Sequence, residues 1–364
     1  MLTPGDPAPW FTAKSTVNPL FQFHSLGGRY VVLCFFGSAA NPACRRVLDD
    51  AIQNQARFDV ENACFLGVTT DPTDEQNQRV AAGYPGMIFF WDFDQTISRL
   101  YGAVASDGTP GPYRPHSLIL DPCLRVVAAL SIDGDGQTHV PKIIASIDAL
   151  PPIKTLTAFA PVIIVPRVFE PDFCRSLIDL YSRNGGQDSG FMRDVDGKTV
   201  AIVDHTFKRR SDYYISDPNI SRAAQVRIGR RLVPEIHKAF QFRATRIERH
   251  LVACYDAETG GRFQPHRDNT TKGTAHRRFA VTINLNTEEY EGGELRFPEF
   301  GLRTYIAPIG GAVVFSCSLL HEATVVSSGK RFVYLPFLYD EAGAKVRATN
   351  VQFLDHQGQP TRSD

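Results

Sequence analysis

Apolar and polar positions change rhythm along this chain, and the change divides it. Tyr30-Val31-Val32-Leu33-Cys34-Phe35-Phe36 is an unbroken apolar run. That is the pattern of a strand buried on both faces. Val47, Leu48, Ala51, Ile52 and Phe58 then recur at helical spacing, which predicts a helix from about Cys44. A strand over 64–68, a helix after Asp71-Pro72 and a short strand over 87–90 follow. Residues 117–121 and 124–130 read as a hairpin, and 141–149 as a closing helix. Strands alternating with helices predict an α/β sandwich.

The rhythm shifts at Leu150-Pro151-Pro152, the expected linker. An apolar run at 160–165 opens the second part. A helix is expected after Glu170, with Pro171 in its first turn and Phe173, Leu177, Ile178 and Tyr181 on one face. A longer helix is expected over about 221–240, kinked or broken by Pro234. Short strands separated by turn residues follow at 245–255, 279–285, 294–297, 302–306, 312–316 and 331–339. Many short strands with Gly-rich turns predict an all-β sandwich or barrel.

Length agrees with two domains, since 364 residues exceed one ordinary core. The 39 Lys and Arg balance the 39 Asp and Glu, so no global basic field exists to draw in nucleic acid or an anionic membrane. No apolar run approaches the roughly 20 residues that span a bilayer. The first residues carry neither a basic segment nor an apolar one, so no signal peptide is expected. Seven cysteines lie singly, with no CxxC and no disulfide framework. A reducing cytoplasm is the expected location.

Candidate chemistry concentrates in the second part. His266-Arg267-Asp268 is followed far downstream by His321 and Arg331. Two imidazoles and a carboxylate that leave coordination positions open form the facial triad of non-haem Fe(II) oxygenases. Alternation along a strand places residues i and i+2 on one face, which would aim His266 and Asp268 at one ion. His321 lies just past the apolar 312–316 strand. Arg331 is expected to open the next strand, across a Ser327-Ser328-Gly329 turn. Its guanidinium suits a carboxylate held through paired hydrogen bonds. Asp133-Gly134-Asp135-Gly136 lacks the remaining positions of a calcium loop and reads as a turn.

These motifs carry a resemblance. Gly260-Gly261-Arg262-Phe263-Gln264-Pro265-His266-Arg267-Asp268, Ile283-Asn284-Leu285-Asn286, Glu291-Gly292-Gly293-Glu294-Leu295 and His321 with Arg331 resemble the prolyl 4-hydroxylase branch of the 2-oxoglutarate/Fe(II) dioxygenases. The likeness runs from about 161 to 339. It implies a double-stranded β-helix, or jelly roll, with supporting helices over 158–345. It implies that His266, Asp268 and His321 hold Fe(II) and are the catalytic centre, that Arg331 pairs with the distal carboxylate of 2-oxoglutarate, and that Tyr255 hydrogen-bonds this co-substrate. O2 is the oxidant, ascorbate the expected reductant, and succinate and CO2 the by-products. Retention of Asp268 argues against a halogenase.

Substrate is less legible. Lys208-Arg209-Arg210 reads most simply as a solvated loop. Lys208, Arg209, Arg210, Tyr213 and Tyr214 nevertheless mix cations with aromatics in an irregular stretch, 185–217, before the barrel. Arg209, Arg210, Tyr213 and Tyr214 are the candidate substrate contacts, for an acidic or peptidyl substrate or a small molecule; the alternative is that the stretch merely covers the barrel mouth. A homodimer is a candidate assembly.

The first part also carries a resemblance. Gly5-Asp6-Pro7-Ala8-Pro9-Trp10-Phe11, the 31–36 strand and Cys44 opening a helix resemble the peroxiredoxin group of thioredoxin-like α/β folds, over 1–152. A Cys at a helix N-terminus has a stabilised thiolate, so Cys44 is the candidate redox thiol. The chain departs from the family where Asn41 replaces Thr and Gly37 replaces Pro. Pro115 resembles the cis-proline of thioredoxins. The leading expectation is a 2-oxoglutarate-dependent hydroxylase with a degenerate peroxiredoxin-like domain. The alternatives are a thiol peroxidase or redox sensor using Cys44 with a regulatory oxygenase-like domain, and a non-enzymatic sensor of iron or 2-oxoglutarate.

Overall fold

The computed structural model describes residues 2–80, 85–107, 109, 111–156 and 158–354. Its contacts fall into two units, Met1–Phe159 with Pro298–Leu302, and Ala160–Phe297 with Arg303–Asp364. Among the described residues no helix is long and apolar enough to cross a membrane.

In the first unit a five-stranded sheet runs Met87–Trp91, Ala63–Thr69, Tyr30–Gly37, His116–Leu120, Val126–Ser131. The first three strands pair in parallel, and His116–Leu120 pairs antiparallel with both of its neighbours. Every residue of Tyr30–Gly37 is buried, as its unbroken apolar run requires. Val31, Leu33 and Phe35 enter one core, and Val32, Cys34 and Phe36 enter another on the opposite face. This is a thioredoxin-like sandwich. The Pro42–Gln53 helix starts two residues before Cys44, because Asn41 caps it through the Ala43 and Cys44 amides. The Pro115 peptide is trans, so the thioredoxin cis-proline has no counterpart there.

The second unit has two facing β arrays. The larger carries the order Arg246–Ile247, Phe337–Tyr339, Phe279–Asn284, Val326–Tyr334, Leu251–Asp256, Ser211–Tyr214, Gln187–Asp188. The smaller runs Lys208–Arg209, Arg262–His266, His321–Ala323, Leu295–Arg296, Thr304–Tyr305. The helices Pro171–Asn184, Pro218–Arg231 and Val233–Phe240 cover the outer face of the larger sheet. There Val252, Val281, Ile283, Phe332 and Tyr334 meet Leu177, Ile178, Ile228 and Ile236. The inner face packs Leu251, Ala253, Tyr255 and Val333 against Phe263 and Ala323 of the smaller sheet. Two antiparallel arrays closed on one interior form the jelly roll.

The expected long helix breaks at Leu232, and Pro234 sits in the first turn of the helix that follows, as its ring requires. Two other expectations are corrected here. The stretch 185–217 is mostly short strands, including the hairpin Phe191–Val195 with Lys198–Ile202. Arg331 does not open a strand: Val326–Tyr334 is continuous, with Ser328 and Gly329 paired to Glu291 and Tyr290.

Candidate metal and co-substrate site

His266 and His321 face each other as register partners across two strands of the smaller sheet, with ring centres 4.3 Å apart. Asp268 lies just beyond the Arg262–His266 strand, so strand alternation is not what aligns it. Its amide donates to the Cys317 carbonyl at 3.0 Å, and its carbonyl accepts from Arg277 Nη1 at 3.3 Å. These bonds fold the carboxylate back between the two imidazoles. Asp268 Oδ1 stands 3.7 Å from His266 Nε2, and Oδ2 stands 3.3 Å from His321 Nε2. One ligand atom from each residue lies within 4.8 Å of the other two.

The imidazoles are oriented from behind. His266 Nδ1 lies 2.7 Å from the Gln264 carbonyl, and His321 Nδ1 lies 3.0 Å from that of Leu319. A carbonyl only accepts, so each Nδ1 donates and each Nε2 keeps its lone pair for a metal. Burial, and then the neighbouring His321, hold the His266 pKa well below its ordinary value. Phe263 stacks on His266 with centres 3.5 Å apart, and Phe315 flanks His321 at 4.5 Å.

Arg331 lies mid-strand opposite Tyr255, its register partner on Leu251–Asp256. Its guanidinium carbon is 5.0 Å from the Tyr255 ring centre. Arg331 is 2% exposed, and its buried Nε has no hydrogen-bond partner. Among the described residues it pairs with no carboxylate. A buried cation without a counter-charge is costly unless a ligand supplies one. This feature fits a dicarboxylate, as the His–Asp–His donors fit Fe(II).

The other candidates separate by face. Lys208, Arg210 and Asp212 turn inward and are buried, which overturns the solvated-loop reading. Arg210 grips Asp212 through Nε at 2.7 Å and Nη2 at 2.6 Å, and its Nη1 reaches the Tyr255 hydroxyl at 3.5 Å. Lys208 Nζ donates to Ser189 Oγ at 2.7 Å and the Gly190 carbonyl at 2.6 Å, and sits 4.8 Å from the Phe263 ring centre. Burial, and then Arg210, lower the Lys208 pKa well below its usual range. Arg209 points outward and is tied to the His205 and Thr259 carbonyls. Tyr213 packs into the helix-side core, whereas Tyr214 lies opposite the inward-facing Leu251 and is 39% exposed. The inward Phe263, Arg277 and Glu248 were given no role by the sequence reading. The two-residue alternation of Lys208, Arg210, Asp212 and Tyr214 was the available signal for the inward face of 208–214.

Cys44 is 2% exposed, and burial, then Asp74, push its thiol up to about 11. Asn41 Oδ1 accepts the Cys44 amide at 3.3 Å, competing with a thiolate for that donor.

Residues 4–129 match the AhpC/TSA family, and residues 250–339 match the 2OG-Fe(II) oxygenase superfamily. The chain therefore carries a peroxiredoxin-like AhpC/TSA domain followed by a 2OG-Fe(II) oxygenase domain. A PKHD-type hydroxylase of Acaryochloris marina is 28% identical over 141 residues, which are 38% of this chain and 64% of that protein. The chain thus spans just under two thirds of that curated relative. Among solved structures, a Trichoplax adhaerens prolyl hydroxylase, in complex with a hypoxia inducible factor peptide, has 15% identity and a TM-score of 0.37. It covers 52% of this chain and 86% of its own. Xanthomonas campestris peroxiredoxin Q has 17% identity and a TM-score of 0.33, covering 38% of this chain and 90% of its own.

Proposed function

We propose that the second unit is a 2-oxoglutarate- and Fe(II)-dependent hydroxylase acting on an unactivated C–H bond, with succinate and CO2 released and ascorbate as reductant. The buried Arg331, with no carboxylate partner among the described residues, carries this reading. His266, Asp268 and His321 would hold the iron, and Arg331 the distal carboxylate of 2-oxoglutarate, beside the Tyr255 ring. Iron and co-substrate together supply activation of O2 for C–H oxidation. The chain's own part is to position and to dry the site. Each Nε2 is aimed by a backbone carbonyl behind its ring, and Leu251, Phe263, Val333 and Leu335 line an apolar interior. Peptidyl and small-molecule substrates both fall within the reading. The buried, high-pKa Cys44 gives the peroxidase alternative no support.

The test is succinate formation from 2-oxoglutarate with Fe(II), ascorbate and air. Slow uncoupled turnover is expected in the wild type and in Cys44→Ser, and none in His266→Ala. Absence of both turnover and 2-oxoglutarate binding in the wild type would overturn the proposal.

A further inference from the structure

Inner-face charges of the barrel do not balance once their partners are assigned. Asp212 is gripped by Arg210. Glu248 takes Arg277 at 2.7 and 2.6 Å, and His276 at 3.0 Å. Asp268 belongs to the metal triad. Arg331 has its own role in the co-substrate site. Two cations are left over: Lys208, whose Nζ is already held by Ser189 Oγ and the Gly190 carbonyl, and Arg249. Arg249 Nε donates to the Leu335 carbonyl at 3.0 Å, and its guanidinium lies 4.3 Å from the Phe337 ring centre. Its terminal nitrogens make no hydrogen bond, and it pairs with no carboxylate, among the described residues.

Position makes this surplus cation informative. Arg277 lies on the same Phe337 ring at 4.0 Å and also donates to the Asp268 carbonyl. Arg249 is therefore one aromatic ring and one side chain from the metal ligands. Leu335, its acceptor, lies in the same inner cluster as Tyr255 and Phe263. Burial, then the charges of Arg277 and Arg210, lower the Arg249 pKa. Arg249 is nevertheless only partly buried, and Tyr214 beside it is 39% exposed, so solvent reaches this side of the interior. Fe(II), Asp268, 2-oxoglutarate and Arg331 together sum to no net charge. They leave Arg249 uncompensated.

We propose that Arg249 is a substrate-recognition residue that selects a substrate bearing an anionic carboxylate or phosphate near the oxidised carbon. The proposal rests on the hydroxylase reading and names the substrate class for that same site. A guanidinium with free terminal N–H groups offers the fork that matches either oxyanion. Withdrawn from bulk water, such a pair discriminates strongly against a neutral analogue, because the neutral compound leaves the cation unpaired.

The experiment uses the full-length protein loaded anaerobically with Fe(II) and 2-oxoglutarate. It is titrated by calorimetry with N-acetylglycine against N-acetylglycinamide, and with methyl phosphate against trimethyl phosphate. At least one anion should bind roughly tenfold or more tighter than its neutral partner. That preference should vanish in Arg249→Gln and be partly restored in Arg249→Lys, with thermal melts showing that both variants fold. Whichever pair discriminates tells carboxylate from phosphate. The proposal is overturned if neither anion saturates the site, or if the preference survives in Arg249→Gln, which would leave Arg249 a support for Phe337. It is also overturned if Arg249→Gln loses the absorption of the iron–2-oxoglutarate chelate, which would make it a co-substrate ligand. Failure of the hydroxylase reading would show separately, as a wild type that forms no such chelate.

Discussion

Gly293 makes room for Arg331. A Cβ at Gly293 would stand 3.0 Å from Arg331 Cδ and 2.6 Å from Val326 Cγ2, and the residue has φ +70°. The Gly292-Gly293 turn is thus part of the wall that sets where the guanidinium lies. Gly293→Ala is expected to fold with a loss of about 1 kcal/mol or more from the left-handed backbone. It should weaken 2-oxoglutarate binding by about tenfold or more through displacement of Arg331. Titration of the iron–2-oxoglutarate chelate beside a thermal melt checks this. Unchanged affinity would mean that Arg331 does not hold the co-substrate.

Glu248 should make the second unit sensitive to acid. Burial acts to raise its pKa, but Arg277 and His276 prevail and hold it well below the ordinary carboxylate value. The folded value lies below the unfolded one, about 4.3. Its stabilisation is therefore full above that pH and is lost as pH falls through the folded value. Glu248→Gln leaves Arg277 without its counter-charge and should cost about 3–5 kcal/mol at pH 7. Melts between pH 3 and pH 7 should show a steep acid decline in the wild type and a shallower one in the variant.

Metal binding should stabilise the folded protein. Mn(II) at about 100 times its Kd adds about 2.7 kcal/mol, read as a rise in melting temperature. The rise should disappear in Asp268→Ala, which removes the carboxylate lying between both imidazoles. A rise that persists in the variant would place the metal elsewhere.

Cys44 should behave as a core thiol. Its pKa near 11 leaves little thiolate at neutral pH, and its side chain is enclosed. Iodoacetamide should label Cys44 at least about tenfold more slowly than the exposed Cys123 in the native protein. The linkage runs against alkali: with the folded pKa raised, its stabilisation is lost as pH rises through about 11. Rapid peroxide consumption that depends on Cys44 would contradict this account.

Where chemistry and pattern coincided, the chain was readable. Pro234 marked the break between two helices, and Asp71-Pro72 marked a helix start that Asp71 caps through the Thr73 amide. The order His266, Asp268, His321, Arg331 pointed to residues that the fold brings to one interior. What remained hidden was the buried charged face of 208–214. Hydropathy reads a strand as buried when its inner side is apolar, and here that side carries Lys208, Arg210 and Asp212. That Arg249 has no carboxylate partner among the described residues is a tertiary fact with no local signature. Arg331 was placed at a strand start because Ser327-Ser328-Gly329 has turn composition. Pairing with Tyr290 and Glu291 keeps that segment within the strand instead, with Gly329 at φ +74°.

Both imidazoles are steered by carbonyls two residues upstream, Gln264 and Leu319. No side chain supplies that hold, so no single substitution outside the two histidines deletes it. The iron-binding half of the cavity is in this sense insulated from sequence drift. The proposed substrate residue Arg249, by contrast, would act through its own side chain and can be exchanged alone. A barrel built this way can change what it oxidises while leaving untouched the backbone that sets how it does so.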